Sequence, residues 1–393
     1  MKHLLLSILL FTSLCTYGQQ TFSWSKIADY PYKAWGMNAC GHNGYLYTFS
    51  NCGGGNNTLY RYSPTADKWD TLAKLTGGII CNTAISGVGG KLYLTSAGGV
   101  QIYDIAANTW GSSPIALPTG FKHSGASAIV VGTDIYYIGG GATKNLFKLS
   151  TTTQTFSSLA DMNEQRENAQ VVYQNNKIYA LGGRKSGNGL TSGEVYDITN
   201  NSWTTLTSTF EKRYFGYAIA DADYIYLMGG ETGTNSFKYK TIELFNPTNG
   251  SVTIMNSAVN DMNREHTAFA LGIAGGKLIA AAGYTNTPNN ATTDYCEAAN
   301  FTSTVGIWQH IAQQLSFNVY PNPAHNTINI TLSHPEFVNT VSLYNVTGQL
   351  VGIDKTSSKK NITLNISELP SGTYFIKAEG KSGIHTEPIQ ILH

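Results

Sequence analysis

The sequence predicts an all-β protein whose large domain is a closed ring of six repeated units, followed by a small β-sandwich. Strand-like stretches that end in two glycines, such as "KIYALGG", recur with the first glycine or its equivalent at residues 50, 96, 139, 182, 229 and 282. The chain is rich in Gly (41) and Tyr (24) and has only 12% charged residues, which suits strands joined by tight turns. The pattern changes at about residue 315.

Each unit divides into four short strands with turn residues at hairpin spacing. In the fourth unit these strands are "ENAQVVYQ", "KIYALGG", "GEVYDIT" and "SWTTLT". Such sheets bury their faces only against neighbouring copies, so the units must close into a ring. The fourth strands carry aromatic or apolar anchors at Trp69, Trp110, Phe156, Trp203, Val252 and Trp308.

The paired glycines have a steric explanation. The inner strands crowd the central axis, and the chain must turn sharply outward after the second strand. Glycine allows positive φ and a close approach of another backbone at that point. The first two units lack the double glycine at its usual place, and the sixth has Ala282 before Gly283.

The apolar run with its double glycine, the "VYD" of the third strand and the spaced tryptophan together resemble the Kelch repeat over roughly residues 24–314. The resemblance implies a six-bladed β-propeller, which we assign to residues 19–314. In Kelch propellers a terminal strand often completes the blade formed by the opposite end of the chain. Because "WSKIADYP" (24–31) is an additional fourth strand, either Trp24 or Trp308 is expected at the outer edge of the last blade.

Residues 1–18 are predicted to be a secretory signal peptide, with a basic start at Lys2 and an apolar run before small residues. The apolar run is shorter than the roughly 20 residues that a membrane span needs, and the bulky Leu14 disfavours a lipid anchor on Cys15. The net charge of +1 gives no reason to expect nucleic acid or an anionic membrane as a partner. We therefore expect an exported chain without a membrane span.

Residues 315–393 predict a small β-sandwich, for which an immunoglobulin-like or carbohydrate-binding accessory module is one interpretation. The run "YPNP" at 320–323, the Gly348 turn and the stretch 369–374 resemble instead the C-terminal sorting domain of the type IX secretion system. The resemblance implies export through the periplasm and outer membrane of a Bacteroidota-type bacterium, with the type IX machinery as partner. It also implies removal of the domain and release or surface anchoring of the propeller. His393 departs from the usual basic end.

Four cysteines follow the signal peptide: Cys40, Cys52, Cys81 and Cys296. In an oxidising compartment they can form up to two disulfides, with three connectivities. Cys52 ends the second strand of blade 1, and Cys81 begins the first strand of blade 2 at a similar height. We predict a Cys52–Cys81 disulfide and a buried free thiol at Cys40.

The sequence lacks nucleophile-elbow, P-loop, zinc-spacing and calcium-loop motifs, so we expect no cofactor and no metal. Asp221 and Asp223 are explained by a turn between strands. Copper radical oxidases of the Kelch superfamily need two Tyr, two His and a Cys cross-linked to one Tyr. No Tyr-His dipeptide occurs in the ring, whose histidines are His42, His123, His266 and His310.

One face of the ring is the favoured binding surface. Loops before the first strand and after the second strand share that face near the axis. Counting 13 residues back from the Tyr of Tyr-x-x-Gly-Gly gives Arg166 and Arg213, and Arg264 is assigned the same position in blade 6. The residues just after the double glycine are Cys52, Gly98, Gly141, Arg184, Glu231 and Tyr284. The predicted ligand-binding residues are Arg166, Asn168, Arg184, Arg213, Glu231, Arg264 and His266.

These residues predict a secreted or surface-displayed binding protein, not an enzyme, for an acidic glycan or an acidic protein partner. The physical reason is that arginine forks bind carboxylates well. The same arginines could instead bond loop carbonyls or a carboxylate such as Glu231. Two other functions stay open, namely a carbohydrate-active enzyme resembling sialic-acid (N-acetylneuraminate) mutarotases and a purely structural envelope role.

Overall fold

Six antiparallel sheets of four strands are arranged as a β-propeller, as the repeats predict. The computed structural model describes residues 20–50, 52, 57–76, 82–141, 143–233, 237–286, 291–301, 317–332, 338–355, 361–380 and 383–392. The first strand of every blade lines a central cavity. The all-β fold class predicted from the sequence is therefore confirmed.

The first three blades each consist of four consecutive strands. Blade 1 contains β2 (Asn38–His42), β3 (Tyr45–Phe49), β4 (Thr58–Ser63) and β5 (Lys68–Lys74). Blade 2 contains β6 (Ile85–Val88), β7 (Lys91–Ser96), β8 (Gly99–Asp104) and β9 (Thr109–Trp110). Blade 3 contains β10 (Ala126–Val131), β11 (Asp134–Gly139), β12 (Leu146–Ser150) and β13 (Thr155–Ser158).

Blades 4 to 6 also have four strands each. Blade 4 contains an inserted hairpin, and blade 6 includes one strand from the N-terminus. Blade 4 contains β14 (Gln170–Gln174), β15 (Lys177–Leu181), β18 (Gly193–Asp197) and β19 (Ser202–Thr205), with the hairpin β16 (Arg184–Lys185) and β17 (Asn188–Gly189) inserted. Blade 5 contains β20 (Tyr214–Ala220), β21 (Ile225–Glu231), β22 (Ile242–Phe245) and β23 (Val252–Ile254). Blade 6 contains β24 (Ala270–Ala274), β25 (Lys277–Thr285), β26 (Ala291–Asn300) and β1 (Ser25–Lys26).

Tryptophans on the outer strands join neighbouring blades. The indole N–H of Trp69 donates to Ala28 O at 3.0 Å, and that of Trp203 donates to Ala160 O at 2.8 Å. The indole of Trp24 makes the equivalent bond to Asn260 O at 3.0 Å. Buried aromatic side chains with one polar atom commonly bond that atom in this way.

The ring is closed by the N-terminal strand. β1 pairs antiparallel with β26, so Trp24 is the outer anchor of blade 6. The alternative anchor, Trp308, lies outside the described residues. Phe22, upstream of β1, is fully buried against Phe301 and Tyr226. The short helix α1 (Ser257–Asn260) supports this segment, because the Asn260 side chain accepts a hydrogen bond from Phe22 N.

The double glycines lie where adjacent blades meet, as predicted. Gly183 N–H donates to Arg213 O of the next blade at 2.8 Å, and Gly230 N–H donates to His266 O at 2.7 Å. A Cβ on Gly182, whose φ is +58°, would lie 2.5 Å from the same Arg213 oxygen. The positive φ and the close approach both favour glycine at Gly182, whereas Ala282 holds the equivalent position in blade 6 with φ of +58°.

A second set of interblade bonds surrounds the cavity mouth. Before each first strand, one residue adopts a left-handed backbone conformation, and N–H groups of successive blades donate to the carbonyls of these residues. Gly125 N, for example, donates to Asn82 O, and Asn168 N donates to Gly125 O, both at 2.7 Å. The left-handed residues, which we call the mouth ring, are Gly36, Asn82, Gly125, Asn168, Phe215 and Ala268.

The C-terminal region is a separate pair of sheets, in agreement with the predicted sandwich. Its buried core includes Phe317, Ile328, Leu343 and Ile376. One sheet contains β27 (Phe317–Tyr320), β28 (Thr327–Leu332) and β31 (Asn361–Asn365). The other contains β29 (Val338–Asn345), β30 (Leu350–Lys355), β32 (Gly372–Gly380) and β33 (Gly383–Ile391).

Among the described cysteines, Cys52 is disulfide-bonded, whereas Cys40 and Cys296 are buried free thiols. Cys81 lies outside the described residues, so its pairing with Cys52 stays a prediction. Within the described ranges, no helix has the length and apolar character that a membrane crossing requires.

Replacing Phe22 with alanine should destabilise the propeller by about 3–5 kcal/mol, because the ring leaves a cavity where the last blade is closed. Urea unfolding followed by tryptophan fluorescence measures the effect. Phe237→Ala is the matched control, since Phe237 is 63% exposed and its loss should change stability by less than about 0.5 kcal/mol. Equal effects of the two substitutions would contradict a closing role for the N-terminal segment.

Candidate functional site

The mouth of the central cavity carries polar and aromatic side chains. The cavity, of about 130 Å³, is lined by the six first strands and by mouth-ring residues that include Asn82, Asn168 and Phe215. A Cβ added to Gly125 would lie 3.2 Å from the Asn168 amide nitrogen. A Cβ added to Gly36 would lie 2.9 Å from the Asn82 amide oxygen. Each amide therefore extends over the glycine of the preceding blade.

These two amides are available to a ligand. Both asparagines are half-buried, and in the described part of the chain neither side chain has a hydrogen-bond partner. A half-buried amide can offer two donors and one acceptor to a polar ligand. The structure thus places the predicted site residue Asn168 at the mouth, together with Asn82, which the sequence analysis did not select.

Phe215 is the third side chain of interest in the mouth ring. Its φ of +57° is unusual for a bulky residue, because left-handed backbone costs a non-glycine residue about 1–2 kcal/mol. The conformation is held by hydrogen bonds from Phe215 N to Asn168 O and from Ala268 N to Phe215 O. Strained residues of this kind concentrate at functional sites.

An arc of larger side chains surrounds the mouth on the side of blades 4, 5, 6 and 1. Arg184 Nε donates to Glu167 Oε1 at 2.7 Å, and its guanidinium lies 5.1 Å from the ring centre of Tyr214 and 5.7 Å from that of Phe215. The ion pair neutralises the Arg184 charge. The predicted residue Arg184 is therefore at the rim, but it is not a free cation.

Glu231 continues the arc through blade 5. Burial, reinforced by a hydrogen bond to Glu231 and by its charge, raises the pKa of Tyr214 to about 12. Burial, together with the charge of the same carboxylate, raises the pKa of the half-buried Tyr284 of blade 6. The Tyr284 ring lies against Trp35 of blade 1, with ring centres 5.3 Å apart. We call Trp35, Glu167, Arg184, Tyr214, Glu231 and Tyr284 the rim arc.

The prediction that Arg166 and Arg213 line the funnel is wrong. Both side chains are fully buried inside their own blades. Arg166 donates to Gly182 O at 2.7 Å and pairs with Glu194 at 2.9 Å. Arg213 makes the corresponding bond to Gly229 O and lies 3.7 Å from Glu243. The chain turns only at the next two residues, so these side chains point away from the mouth.

His266 occupies the equivalent position in blade 6, which corrects the assignment of Arg264. His266 Nδ1 donates to Ala282 O at 3.0 Å, and Nε2 faces Glu297 Oε1 at 3.1 Å, so the ring is buried and bonded. The exposed Arg264 stacks on Tyr295 with its guanidinium 4.2 Å from the ring centre. The assignment of Arg264 assumed a longer turn in blade 6, but that turn is no longer than the one in blade 4.

The buried glutamates that face Arg166 and Arg213 also accept hydrogen bonds from backbone N–H groups. Glu194 and Glu243 accept hydrogen bonds from Asn163 N at 2.7 Å and Glu211 N at 2.9 Å, respectively. Burial raises the pKa of Glu243 to about 7 and lowers that of Arg213, although each charge stabilises the other. The pairs therefore fix the loops that enter blades 4 and 5.

The described residues contain no group of three His, Cys, Asp or Glu side chains placed to hold a metal ion. What the mouth and rim arc offer is hydrogen bonding from amides, stacking on aromatic faces, and one phenol–carboxylate contact. This combination can bind a polar ligand with apolar faces.

Two family matches cover different parts of the chain. Residues 165–209 match the Kelch motif, and residues 318–391 match the family described as Secretion system C-terminal sorting domain. The chain is a Kelch-repeat β-propeller followed by a secretion sorting domain. The sorting domain directs this Kelch propeller through the type IX system to the outer surface or the medium.

The curated relatives match this Kelch propeller over only part of their own length. It is 28% identical to Kelch-like protein 25 of Xenopus tropicalis over 38% of this chain, and 32% identical to Spermatocyte protein spe-26 of Caenorhabditis elegans over 41%. The matches span only 26% and 30% of those proteins. The solved structure of YjhT is similar over 69% of this chain and 96% of its own, with a TM-score of 0.59. At 18% identity, that similarity shows the fold alone.

Replacing Arg166 with alanine should destabilise the propeller by about 3–5 kcal/mol, because Glu194 would keep a buried charge without its partner. Urea unfolding is the measurement. Arg264→Ala, which removes an exposed arginine, should change stability by less than about 0.5 kcal/mol. A small effect of Arg166→Ala would contradict the structural role of the buried pair.

Proposed function

We propose that this Kelch propeller is a secreted carbohydrate-binding module that takes a polar glycan at the mouth ring and rim arc. The observation that carries the proposal is the pair of half-buried amides of Asn82 and Asn168, which have no side-chain hydrogen-bond partner within the described residues and line the same cavity as the strained Phe215. Sugars present hydroxyl groups to amides and C–H faces to aromatic rings, and this mouth supplies both partners.

The charge distribution supports a neutral glycan over an acidic one. Arg166 and Arg213 are committed to buried glutamates, and Arg184 is paired with Glu167. Within the described ranges, the mouth therefore lacks the cationic patch on which the acidic ligand was predicted. Of the residues predicted from the sequence, Asn168, Arg184 and Glu231 remain in the proposed site.

The proposal can be tested with a glycan array that contains neutral, sialylated and uronic-acid glycans, probed with the labelled mature protein. We expect binding to neutral glycans, with affinity that varies little between low and high salt because few charges take part. Binding to sialylated or uronic glycans alone would contradict the neutral-glycan proposal. Failure to bind any sugar, with capture of a protein instead, would overturn it.

Phe215→Asn should weaken binding of the array-positive glycan about tenfold, or about 1.4 kcal/mol. Asparagine tolerates the left-handed backbone, as Asn168 does in the same ring, so the variant should fold normally. Ala268→Gly is the control, because it relieves the same kind of backbone strain without removing an aromatic face. Isothermal titration calorimetry gives the affinities, and equal affinity of Phe215→Asn and the wild type would sink the proposal.

A second candidate is a carbohydrate-active enzyme that exchanges sugar anomers, as the resemblance to sialic-acid mutarotases implied. The contact of Glu231 with Tyr214 favours it, because a carboxylate beside a phenol can transfer protons. NMR exchange spectroscopy with N-acetylneuraminate and glucose distinguishes the candidates. Accelerated exchange that Glu231→Gln abolishes would favour the enzyme over the binding module.

The proposed domain boundaries are a signal peptide at 1–18, a propeller at 19–314 and a removable sorting domain at 315–393. We expect protein recovered from the surface or medium of its host to end near residue 315. Intact-mass measurement checks this, with protein from a secretion-deficient strain as the control. Surface material that still extends to His393 would contradict removal of the domain.

A further inference from the structure

The connections between the second and third strands differ strongly around the ring. Counted as the residues between the last paired residues of the two strands, the connection is 97–98 in blade 2 and 139–145 in blade 3. It is 182–192 in blade 4 and 229–241 in blade 5, whereas in blade 6 the two strands stay paired as far as Thr285 and Ala291 and so extend further before they are joined. Because all of these connections begin on the face that carries the mouth, they surround it unequally.

The longer connections are joined to one another. Asn188 of blade 4 forms a bridge with Gly233 of blade 5, and the Asn286 side chain of blade 6 donates to Lys238 O of blade 5 at 3.4 Å. Contacts between the described parts of these connections therefore join blades 4, 5 and 6 on the face that carries the mouth, and we call these parts the wall.

The side of blades 2 and 3 is open. At the position held by Arg184, Glu231 and Tyr284 on the wall, blades 2 and 3 have the exposed glycines Gly98 and Gly141. A Cβ on Gly98 would meet nothing closer than Ser96 Oγ at 3.9 Å. A Cβ on Gly141, by contrast, would lie 3.0 Å from the Lys122 side chain, so the low path leads outward over Gly98 and beside Lys122.

We propose that the glycan is an oligosaccharide whose terminal unit occupies the mouth and whose following units extend outward over Gly98, beside Lys122. This inference rests on the proposed function and adds the size of the ligand and its direction. The path is polar, since Ser124 and Lys122 are exposed beside it. Polar residues at an open path fit a chain of hydroxylated units better than an apolar peptide.

The test uses the mature protein with four neutral oligosaccharide series of one to six units: cello-, manno-, chito- and xylo-oligosaccharides. In at least one series, affinity measured by calorimetry should rise about tenfold from one unit to three. Gly98→Trp should abolish this gain while leaving the affinity for the single unit unchanged, because the indole blocks only the path. Gly98→Ala should retain the gain.

Gly90→Trp is the matched control, because Gly90 lies in the opposite hairpin of the same blade and an added Cβ there has no atom within 4 Å. It should bind like the wild type. Equal unfolding midpoints would show that both tryptophan variants fold.

The outcomes separate the two proposals. Affinity that is independent of length and unaffected by Gly98→Trp overturns the extended path while the binding of a sugar at the mouth stands. An extended peptide as the bound species also overturns it. Failure of the wild type to bind any of the four series or any array glycan overturns the proposed function and this inference together.

Discussion

The hydrogen bond between a glycine N–H of one blade and a backbone carbonyl of the next is the contact on which the propeller depends. Gly183 donates in this way to Arg213 O, and Gly283 donates to Ala34 O across the closure of the ring. Glycine favours this approach because it adopts positive φ and has no Cβ, and in blade 6 Ala282 adopts the same left-handed conformation, with φ of +58°. The repeated glycines, the sharp outward turn and the ring therefore have one steric cause.

This contact also fixes which side chains can serve a ligand. The residue whose carbonyl is used, such as Arg213, directs its side chain into its own blade. The chain then adopts the left-handed conformation of the mouth ring two residues later, at Phe215. Of the two residues that follow Arg213, Tyr214 is buried and Phe215 is half-buried beside the cavity. Blades 4 and 5 place an arginine at the inward position and blade 6 places His266 there, and each of these side chains faces a glutamate of the third strand.

In blade 3 the inward residue is His123, and an aromatic side chain replaces the glutamate that faces it in blades 4 to 6. Phe147 stands in the sheet register that Glu194 has in blade 4, and it packs on Phe121 with ring centres 5.5 Å apart. His123 then has no buried negative charge beside it, and burial lowers its pKa, which favours a neutral ring. Buried charge is therefore one solution at this position and aromatic packing is another. A buried pair is costly to break but is weak evidence for net stability.

Sequence predicted the parts of the structure that repeat. The glycine period located the strands, and counting from it placed Arg184, Glu231 and Tyr284 at one rim, since equivalent positions in a ring share a height. The count could not give side-chain direction at Arg166, because the left-handed turn at Asn168 interrupts the alternation that strand phase assumes. Trp24 and Trp308 were equally good anchors, and only the pairing of β1 with β26 distinguished them. Phe215 was missed because a phenylalanine in a left-handed conformation has no sequence signal.

In each blade, the residue that joins two blades and the residues at the mouth are adjacent in the short segment that leads into the first strand. The residue whose carbonyl accepts the glycine N–H, such as Arg213, is restricted in its backbone by the junction between blades. Its side chain is restricted because it packs inside its own blade. The next two residues take part in interblade bonds through their backbone, and their side chains differ from blade to blade: Trp35 and Gly36, Ser124 and Gly125, Glu167 and Asn168, Tyr214 and Phe215, Thr267 and Ala268. Phe215 has a conformation that glycine or asparagine would adopt at lower cost. Strained residues of this kind concentrate at functional sites, which is why Phe215 belongs to the proposed site.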